Sequence, residues 1–313
     1  MEKLIKHIIK KIIKFFIDLF NTIHSMLNLW RFISFKNSFR EYSANKTKPL
    51  IVMGNGPSLM EVIKYYTSTL NKCDICVVNN FAMSDFYEIL KPKYYILADE
   101  GYWLNKEETY NAIIESRNFV FGKLKESTQW PILLFVPSPI YKKGYFQEVF
   151  LGNINIKVLP MNKYPFIGFN RIKYFLFRNN LSMPQIQNVL VASLFIGLNL
   201  SYKKIYLIGA ENNWTQFMRV NNLNQVCLTD NHFYNSEITP MVPWLKSTGE
   251  PYKSYEFLLD VSKTLAGYFE IEKYALIKGA KIYNCCDNSF IDAFERRSIN
   301  DIIFADYNDS SRL

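Results

Sequence analysis

One histidine stands apart in this sequence as a candidate acid/base group. The chain contains three histidines, and two of them, His7 and His24, lie in its lysine-rich beginning. The third, His232, lies in the polar segment Asp230-Asn231-His232-Phe233-Tyr234. Imidazole has the ordinary pKa that suits proton transfer near neutral pH. A histidine base in the body of the protein must therefore be His232, and the alternative is a structural histidine in a loop.

A glycine-rich turn offers a second chemical function, the binding of phosphate. It reads Gly54-Asn55-Gly56-Pro57-Ser58-Leu59 and follows an apolar run. Glycines allow a close backbone approach, a proline suits the first turn of a helix, and free amides at a helix N-terminus attract anions. The turn lacks the lysine of a Walker loop, and Leu59 replaces the third glycine of the dinucleotide fingerprint. It predicts a phosphate-binding turn, with a tight turn that binds nothing as the alternative.

Polar side chains follow three further predicted strands. Asn79 and Asn80 follow the second strand, Asp99 follows the third and Glu211 follows the fifth. The carboxyl ends of parallel strands meet at one edge of a sheet, where ligands bind. Polar groups are costly to bury there unless a shared polar ligand pairs with them. We expect the amides to contact a base or ribose and the carboxylates to hold sugar hydroxyls or act on an acceptor. The alternatives are Asx turns and helix-capping carboxylates.

Alternating strands and helices must position these residues. Apolar runs predict five strands, and helical spacing predicts helices over 57–66 and 189–200. Strands joined by helices of this length form a parallel sheet that is covered on both faces. We therefore predict an α/β fold with a Rossmann-like, doubly wound, mostly parallel sheet. The predicted strands span residues 50–53, 75–78, 94–98, 132–136 and 204–208.

Composition excludes several classes of protein. The chain has 313 residues, 49% of them hydrophobic and 5 of them cysteine, so it is neither disordered nor a disulfide scaffold. The unpatterned cysteines are typical of a reducing compartment. No HExxH motif or pair of CxxC motifs occurs, and no Asp-x-Asp is present to hold a divalent ion on a pyrophosphate. We expect no metal and no resident cofactor.

The basic excess lies in the N-terminal segment. The net charge is +9, and residues 1–48 contain ten basic and three acidic residues, so the body carries little of that charge. A nucleic-acid-binding body would show the excess in its folded domain, so we expect no nucleic acid partner. Apolar residues recur at helical spacing from Leu4 to Ile23, with lysines between them.

Such an amphipathic helix predicts binding to an anionic membrane surface through residues 1–30. Its apolar runs are too short to span a bilayer. A secretory signal is also a poor match, because lysines interrupt the apolar stretch. The alternative is a helix that docks its apolar face on its own domain or on a second copy of the chain, as in a homo-oligomer.

We expect three parts in the chain. Residues 1–48 form the amphipathic segment and a polar linker, 49–297 form the α/β domain, and 298–313 form a polar tail. Within the domain, residues 215–255 are rich in asparagine and proline and are predicted to form a lid.

Five motifs occur in order along residues 50–297. They are GNGPSL at 54–59, VNNF at 78–81, YKKIYLIGA at 202–210, DNHFY at 230–234 and DNSF at 287–290. Together they resemble the bacterial sialyltransferases of glycosyltransferase family 42. They also resemble glycan-cluster proteins with the same glycine-rich start and the MptE-like and Maf flagellin-glycosylation domains. The fold that this resemblance implies is a GT-A-like variant of the Rossmann-like sheet.

The resemblance also implies roles for residues. His232 is expected to be the general base on the acceptor hydroxyl, and Asn79 to lie near the donor's sugar or base. Three points differ from the sialyltransferases. Asn188-Val189-Leu190 lies where they have a phosphate-contacting Thr-Ser-Gly, and Glu211 replaces the usual aspartate. Their phosphate-supporting tyrosines have no single counterpart, and Tyr234 and Tyr252 are the candidates. The expected catalytic residues are His232, Asp99 and Glu211, and the expected donor-binding residues are Gly54, Asn55, Gly56, Pro57, Ser58, Asn79, Asn80, Asn188 and Tyr234.

These expectations combine into one hypothesis. The protein is predicted to be a metal-independent, inverting glycosyltransferase that moves a CMP-activated acidic sugar, such as a sialic acid or a related nonulosonate. The acceptor would be a bacterial surface glycan, such as lipopolysaccharide, or a lipid-linked saccharide. The enzyme would be cytoplasmic and peripheral on the inner face of the inner membrane. The alternatives are an MptE-like Mg²⁺-dependent diphosphokinase and a non-catalytic scaffold of a glycan-assembly complex.

Overall fold

The computed structural model describes residues 1–34, 40–43, 46–104, 111–229, 232–234, 240–246 and 249–300. Most of the expected tail, at 301–313, lies outside these residues, as do parts of the expected linker (44–45) and lid (230–231, 235–239 and 247–248).

An eight-stranded parallel sheet forms the centre of the protein. Its strands are β1 (Leu50–Met53), β2 (Asp74–Val78), β3 (Tyr94–Ile96), β4 (Ile132–Pro137), β5 (Ile156–Met161), β6 (Lys204–Ile208), β10 (Lys281–Asn284) and β11 (Glu295–Arg296). The strand order is β11-β10-β6-β1-β2-β3-β4-β5, so the chain winds outwards from β1 in one direction and then from β6 in the other. This is the predicted doubly wound Rossmann-like sheet.

Helices cover both faces of the sheet. The helices of the described chain are α1 (Glu2–Phe32), which lies outside these layers, α2 (Leu59–Leu70), α3 (Phe86–Leu90), α4 (Asn111–Ser127), α5 (Ser138–Lys142), α6 (Tyr145–Val149), α7 (Asn170–Arg178), α8 (Val189–Asn199) and α9 (Ser254–Lys278). Alternate residues of β1 enter opposite cores: Leu50 and Val52 pack on the side of α8 and α9, and Ile51 and Met53 pack on the side of α2 and α4. The apolar run of β1 is therefore explained by burial on both faces.

A small antiparallel sheet occupies the region predicted as a lid. It consists of β7 (Arg219–Val220), β8 (Val226–Leu228) and β9 (Val242–Pro243), with β8 in the centre. Val226 and Leu228 pack against Phe257 and Val261 at the start of α9. The lid region is thus attached to the main domain by an apolar cluster of its own.

Helix α1 docks on the domain through a face of mixed polarity. Thr22, Ser25 and Leu29 are buried at helical spacing, Leu29 packs with Phe166 and Leu176, and the Ser25 hydroxyl donates to the Ile167 carbonyl at 2.9 Å. The Thr22 hydroxyl accepts the amide of Phe169 at 3.0 Å. None of the described helices is long and apolar enough to cross a membrane.

The apolar side of α1 stays uncovered along the whole helix. Phe20 is 71% exposed and Trp30 is 78% exposed, although both lie on the docked half of the helix. The alternative in which this apolar face docks on the protein's own domain is therefore excluded for the residues that the structure describes. The exposed stripe comprises Leu4, Ile5, Ile8, Ile9, Ile12, Ile13, Phe16, Leu19, Phe20, Ile23, Met26, Leu27 and Trp30.

Candidate active site

A cleft of about 640 Å³ opens at the carboxyl ends of the strands. It lies across the junction of β1 and β6, where the direction of winding changes. Ligands bind at this point of an α/β sheet because the connections leave on opposite sides and open a crevice. The ends of β1, β2, β3, β5 and β6, the start of α8 and the small sheet supply its lining residues.

The structure brings together all but one of the predicted site residues at this cleft. The exception is Ser58, whose amide donates to Glu211 Oε1 at 2.8 Å and whose Oγ lies 3.5 Å from Cys286 Sγ. The predicted residues that line the cleft are Gly54, Asn55, Gly56, Pro57, Asn79, Asn80, Asp99, Asn188, Glu211, His232 and Tyr234. Tyr252 lines it as well.

The amides of the glycine-rich turn are bonded within the protein. The Gly54 amide donates to the Ile208 carbonyl and the Gly56 amide to the Gly209 carbonyl, both at 2.9 Å. The Ser58 amide is taken by Glu211. The expectation that free amides of this turn hold a phosphate is therefore wrong for these three groups.

The glycines are required by the close passage of two strand ends. A Cβ atom on Gly56 would lie 1.5 Å from Glu211 Oε2, and a Cβ atom on Gly54 would lie 2.2 Å from the Gly209 carbonyl oxygen. Both distances are far below van der Waals contact. The two glycines are thus explained by the close approach of the β1 turn to the end of β6. The turn lines the cleft, but the amides of Gly54, Gly56 and Ser58 are not available to a ligand there.

Both predicted carboxylates cap helical turns. Glu211 is only 6% exposed, and its Oε1 accepts the Ser58 amide at the start of α2. Asp99 is exposed, and its Oδ1 accepts the Gly101 amide at 2.9 Å. One carboxylate oxygen of Glu211 and one of Asp99 therefore serve as helix caps, as the alternative interpretation predicted. Both side chains also line the cleft.

Three buried acceptor atoms at the cleft lack a hydrogen-bond partner. Within the described chain five buried side-chain atoms are left so, and three of them, Asn55 Oδ1, Asn79 Oδ1 and Glu211 Oε2, belong to residues of this cleft. Leaving such an atom unpaired costs about 1–3 kcal/mol. These unpaired acceptors are thus concentrated among the lining residues of one cleft.

Neighbouring contacts hold these asparagines in place. The Nδ2 of Asn55 donates to the Val78 carbonyl at 3.3 Å. Asn79 has a positive φ of 46°, and the Tyr95 hydroxyl donates to its carbonyl oxygen. The Asn55 side chain and the Asn79 backbone are therefore held by protein contacts that leave the side-chain acceptor oxygens of both residues unused.

Two other predicted amides are engaged by the protein. Asn80 Oδ1 accepts the Tyr102 hydroxyl at 2.5 Å. Asn188 is the N-cap of α8, where its Oδ1 accepts the Leu190 amide at 2.8 Å. Asn188 thereby sets the start of α8 at the edge of the cleft, because Gln187, Val189 and Leu190 also line it.

His232 is held beside the glycine-rich turn. The amide of its neighbour Phe233 donates to the Asn55 carbonyl at 3.1 Å. Phe233 is buried against Phe81, with ring centroids 5.3 Å apart. His232 itself is half-buried and stacks on Tyr234, with ring centroids 5.1 Å apart. The imidazole therefore lines the cleft and is not part of a hydrocarbon core.

Lys163 is a cleft residue that the sequence analysis missed. It follows β5, a strand containing Lys157 and Pro160 that was not among the predicted strands. Its Nζ donates to the Ala98 carbonyl at 2.9 Å. Burial lowers the pKa of Lys163, and the carboxylates of Glu100 and Asp99 partly oppose this effect. Among the described residues that line the cleft it is the only lysine or arginine.

The described residues contain no group of three or more histidine, cysteine, aspartate and glutamate side chains placed to hold a metal ion. The five cysteines are buried thiols that form no disulfide. Burial raises the pKa of the Cys286 thiol, with a smaller contribution from the nearby Glu211 carboxylate.

Comparisons with known proteins give only distant structural likenesses. No family model matches the chain, and no curated protein matches it in sequence. Among solved structures, a chain titled as a MAf glycosyltransferase from Magnetospirillum magneticum AMB-1 is similar, with a TM-score of 0.43 and 13% sequence identity. The similarity covers 88% of this chain and 40% of that one, so this chain spans less than half of that protein's length. A likeness this distant carries no argument about chemistry.

Proposed function

We propose that this protein is an inverting glycosyltransferase that transfers an acidic sugar from a CMP-linked donor to a glycan acceptor. The observation that carries the proposal is the set of unpaired acceptors, Asn55 Oδ1, Asn79 Oδ1 and Glu211 Oε2, in a cleft that also holds an imidazole. Sugar hydroxyls, ribose hydroxyls and a base amino group are the donors that such oxygens accept. The order of sequence motifs along residues 50–297 supports the same class of reaction.

Three features support an anionic donor in this cleft. Lys163 supplies a positive charge, and the N-terminus of α8 supplies the positive end of a helix dipole. Tyr234 and Tyr252 add aromatic hydroxyl groups to the lining. Because the amides of Gly54, Gly56 and Ser58 are bonded internally, we assign the phosphate to the side of the cleft formed by Lys163 and α8.

His232 is assigned as the general base. In this mechanism its neutral imidazole removes the proton of an acceptor hydroxyl while that oxygen attacks the anomeric carbon of the donor sugar. The bond from the anomeric carbon to the phosphate oxygen breaks, and CMP leaves with the electron pair. Attack opposite the leaving group inverts the anomeric centre. Asp99 and Glu211 are assigned to hold sugar hydroxyls, since their free oxygens accept hydrogen bonds.

The membrane-facing part of the proposal rests on α1. An exposed apolar stripe beside Lys3, Lys6, Lys10, Lys11 and Lys14 matches an anionic bilayer surface, where each lysine contributes about 1 kcal/mol. We propose that α1 lies in the surface of the membrane that carries the acceptor, on its cytoplasmic side, and that the acceptor is a surface glycan or lipid-linked saccharide.

Calorimetry with free nucleotides tests the donor class. CMP is expected to bind the full-length protein in the presence of EDTA, and UDP and GDP are expected to bind more weakly. The double variant Asn55→Ala/Asn79→Gly should weaken CMP binding, because it removes two of the unpaired acceptors while glycine keeps the positive φ at position 79. A matched control is Asn221→Ala, an asparagine of the small sheet's β7–β8 turn that does not line the cleft.

Other outcomes select the alternatives. Binding of ATP that requires Mg²⁺, without binding of CMP, would favour a diphosphokinase. Binding of UDP or GDP in place of CMP would retain glycosyl transfer with a different donor. No heat with any of these nucleotides would favour a non-catalytic scaffold.

A further inference from the structure

A second cavity of about 370 Å³ adjoins the cleft. It lies beyond the ends of β4 and β5. Glu100 and Lys163 line both the cavity and the cleft, so the two spaces are neighbours that share one wall. Its volume falls within the range of about 300–1,000 Å³ that is usual for small-molecule sites. Nothing in the proposed donor binding uses this space.

We propose that the second cavity is the acceptor subsite and that it binds a saccharide ring. This inference rests on the proposed function and assigns the second substrate. A pyranose has an apolar face of C–H groups and a rim of hydroxyls. The cavity offers the matching surfaces: the aromatic rings of Trp103 and Tyr164 and the apolar side chains of Pro139 and Ile140, with the carboxylate of Glu100 at the wall shared with the cleft.

The polar contacts of the cavity divide into used and available groups. Asn162 is saturated, because its Oδ1 accepts from the Ser34 amide at 2.8 Å and the Ser138 hydroxyl at 2.7 Å, and its Nδ2 donates to the Ser34 and Asn180 carbonyls. Asn162 therefore has a structural role in the cavity wall and has no hydrogen-bonding group left for a ligand. Glu100 is exposed, and its carboxylate can accept sugar hydroxyls.

The position of the cavity fits an acceptor that comes from the membrane. Ile33, the C-cap residue of α1, lines the cavity, and its carbonyl accepts the Lys142 ammonium at 2.5 Å. The cavity therefore begins where the exposed helix joins the domain. A glycan on a lipid anchor would meet this cavity first, and its reactive hydroxyl would enter the cleft past the shared wall of Glu100 and Lys163.

Saturation-transfer NMR on the full-length protein tests the inference. The probes are lactose, N-acetylglucosamine and methyl galactoside, each added to the protein with saturating CMP. At least one sugar is expected to bind. Trp103→Ala should weaken its binding by about tenfold, through loss of the stacking surface. Pro139→Trp should block the cavity from an exposed position without removing core contacts. Tyr65→Ala removes a 67% exposed aromatic residue on α2 and should change nothing.

The outcomes separate this inference from the proposed function. If CMP binds the wild-type protein and no probe sugar does, the acceptor assignment is overturned and the donor assignment stands. The same holds if both cavity variants bind the sugar as the wild type does. Unchanged CMP affinity in Trp103→Ala and Pro139→Trp, together with weaker sugar binding, supports the inference. Failure of the wild type to bind CMP overturns the proposed function and this inference with it.

Discussion

The cleft and helix α1 depart from the usual pattern of burial in opposite directions. The cleft buries the acceptor atoms Asn55 Oδ1, Asn79 Oδ1 and Glu211 Oε2 without hydrogen-bond partners in the described chain. Helix α1 exposes apolar side chains such as Phe20 and Trp30 to solvent. Unpaired buried polar atoms and contiguous exposed apolar surface are both unfavourable in isolation. The two regions therefore differ in what the described chain leaves unsatisfied: hydrogen-bond acceptors at the cleft and apolar surface along α1.

A second apolar helix shows that composition alone does not decide burial. Helix α8 is apolar on all sides and is buried between the sheet and α9, with Leu194 and Leu198 fully enclosed. Helix α1 is also rich in apolar residues, yet its lysines limit them to one face, and the domain contacts a different face at Thr22, Ser25 and Leu29. The described fold therefore leaves that apolar face exposed.

The largest expected effect tests whether the cleft is catalytic. His232→Ala should lower transfer from CMP-linked donors by about 10²–10⁴-fold, because a positioned base contributes that much. CMP affinity should be unchanged, since the base contacts the acceptor. His24→Ala is the matched control, because His24 is an exposed histidine of α1 outside the cleft. Steady-state rates with a water-soluble acceptor check this, and full activity of His232→Ala would remove the base assignment.

The next effect tests whether the glycines of the cleft are structural. Gly56→Ala should lower the free energy of unfolding by about 2–4 kcal/mol, because its Cβ atom would overlap Glu211 Oε2. Gly122→Ala, in helix α4, should be neutral or stabilising because an added Cβ atom there meets nothing within 4 Å. Urea unfolding measures both variants. Equal stability of Gly56→Ala and the wild type would contradict the close packing of the β1 and β6 ends.

A third prediction tests the exposed side of the comparison. Phe16→Asp/Phe20→Asp should weaken binding to vesicles of phosphatidylglycerol and phosphatidylcholine by about 100-fold or more, since burying one such ring contributes about 1.5–3 kcal/mol. Both rings are more than 60% exposed, so the free energy of unfolding should not fall. The control Asn21→Asp/Asn28→Asp adds the same charge on the other side of α1. Vesicle sedimentation measures binding, and equal losses in both variants would show that charge alone is responsible.

The smallest expected effect concerns the charge at the cleft. Because burial lowers the pKa of Lys163, its ammonium loses its proton at a lower pH than the ordinary value of about 10.4. An anionic ligand binds the protonated form, so CMP affinity should fall a few-fold as pH rises through the lowered pKa. Lys163→Arg should keep its affinity over this range because the guanidinium stays charged. Titration calorimetry from pH 7 upward checks this, and identical pH profiles would exclude Lys163 from donor binding.

Local sequence patterns predicted much of the fold. The run Leu50–Met53 and the run Lys204–Ile208 form strands with the predicted bounds, because buried strands of a parallel sheet are continuous apolar runs. Strand β5 was missed, since Lys157 and Pro160 interrupt its pattern. That omission hid Lys163, whose Nζ reaches the Ala98 carbonyl beyond the end of β3, two strands away from β5 in the sheet.

The sequence by itself determined the alternation of strands and helices, the polar residues at strand ends and the two faces of α1, because each depends on local periodicity. Only the tertiary structure decided what those residues do. It showed that the glycines near β1 make room for Glu211 and that α1 docks through Thr22 and Ser25. Such pairings join residues about 150 positions apart, as the hydrogen bond from Ser58 to Glu211 does, and no local pattern encodes them.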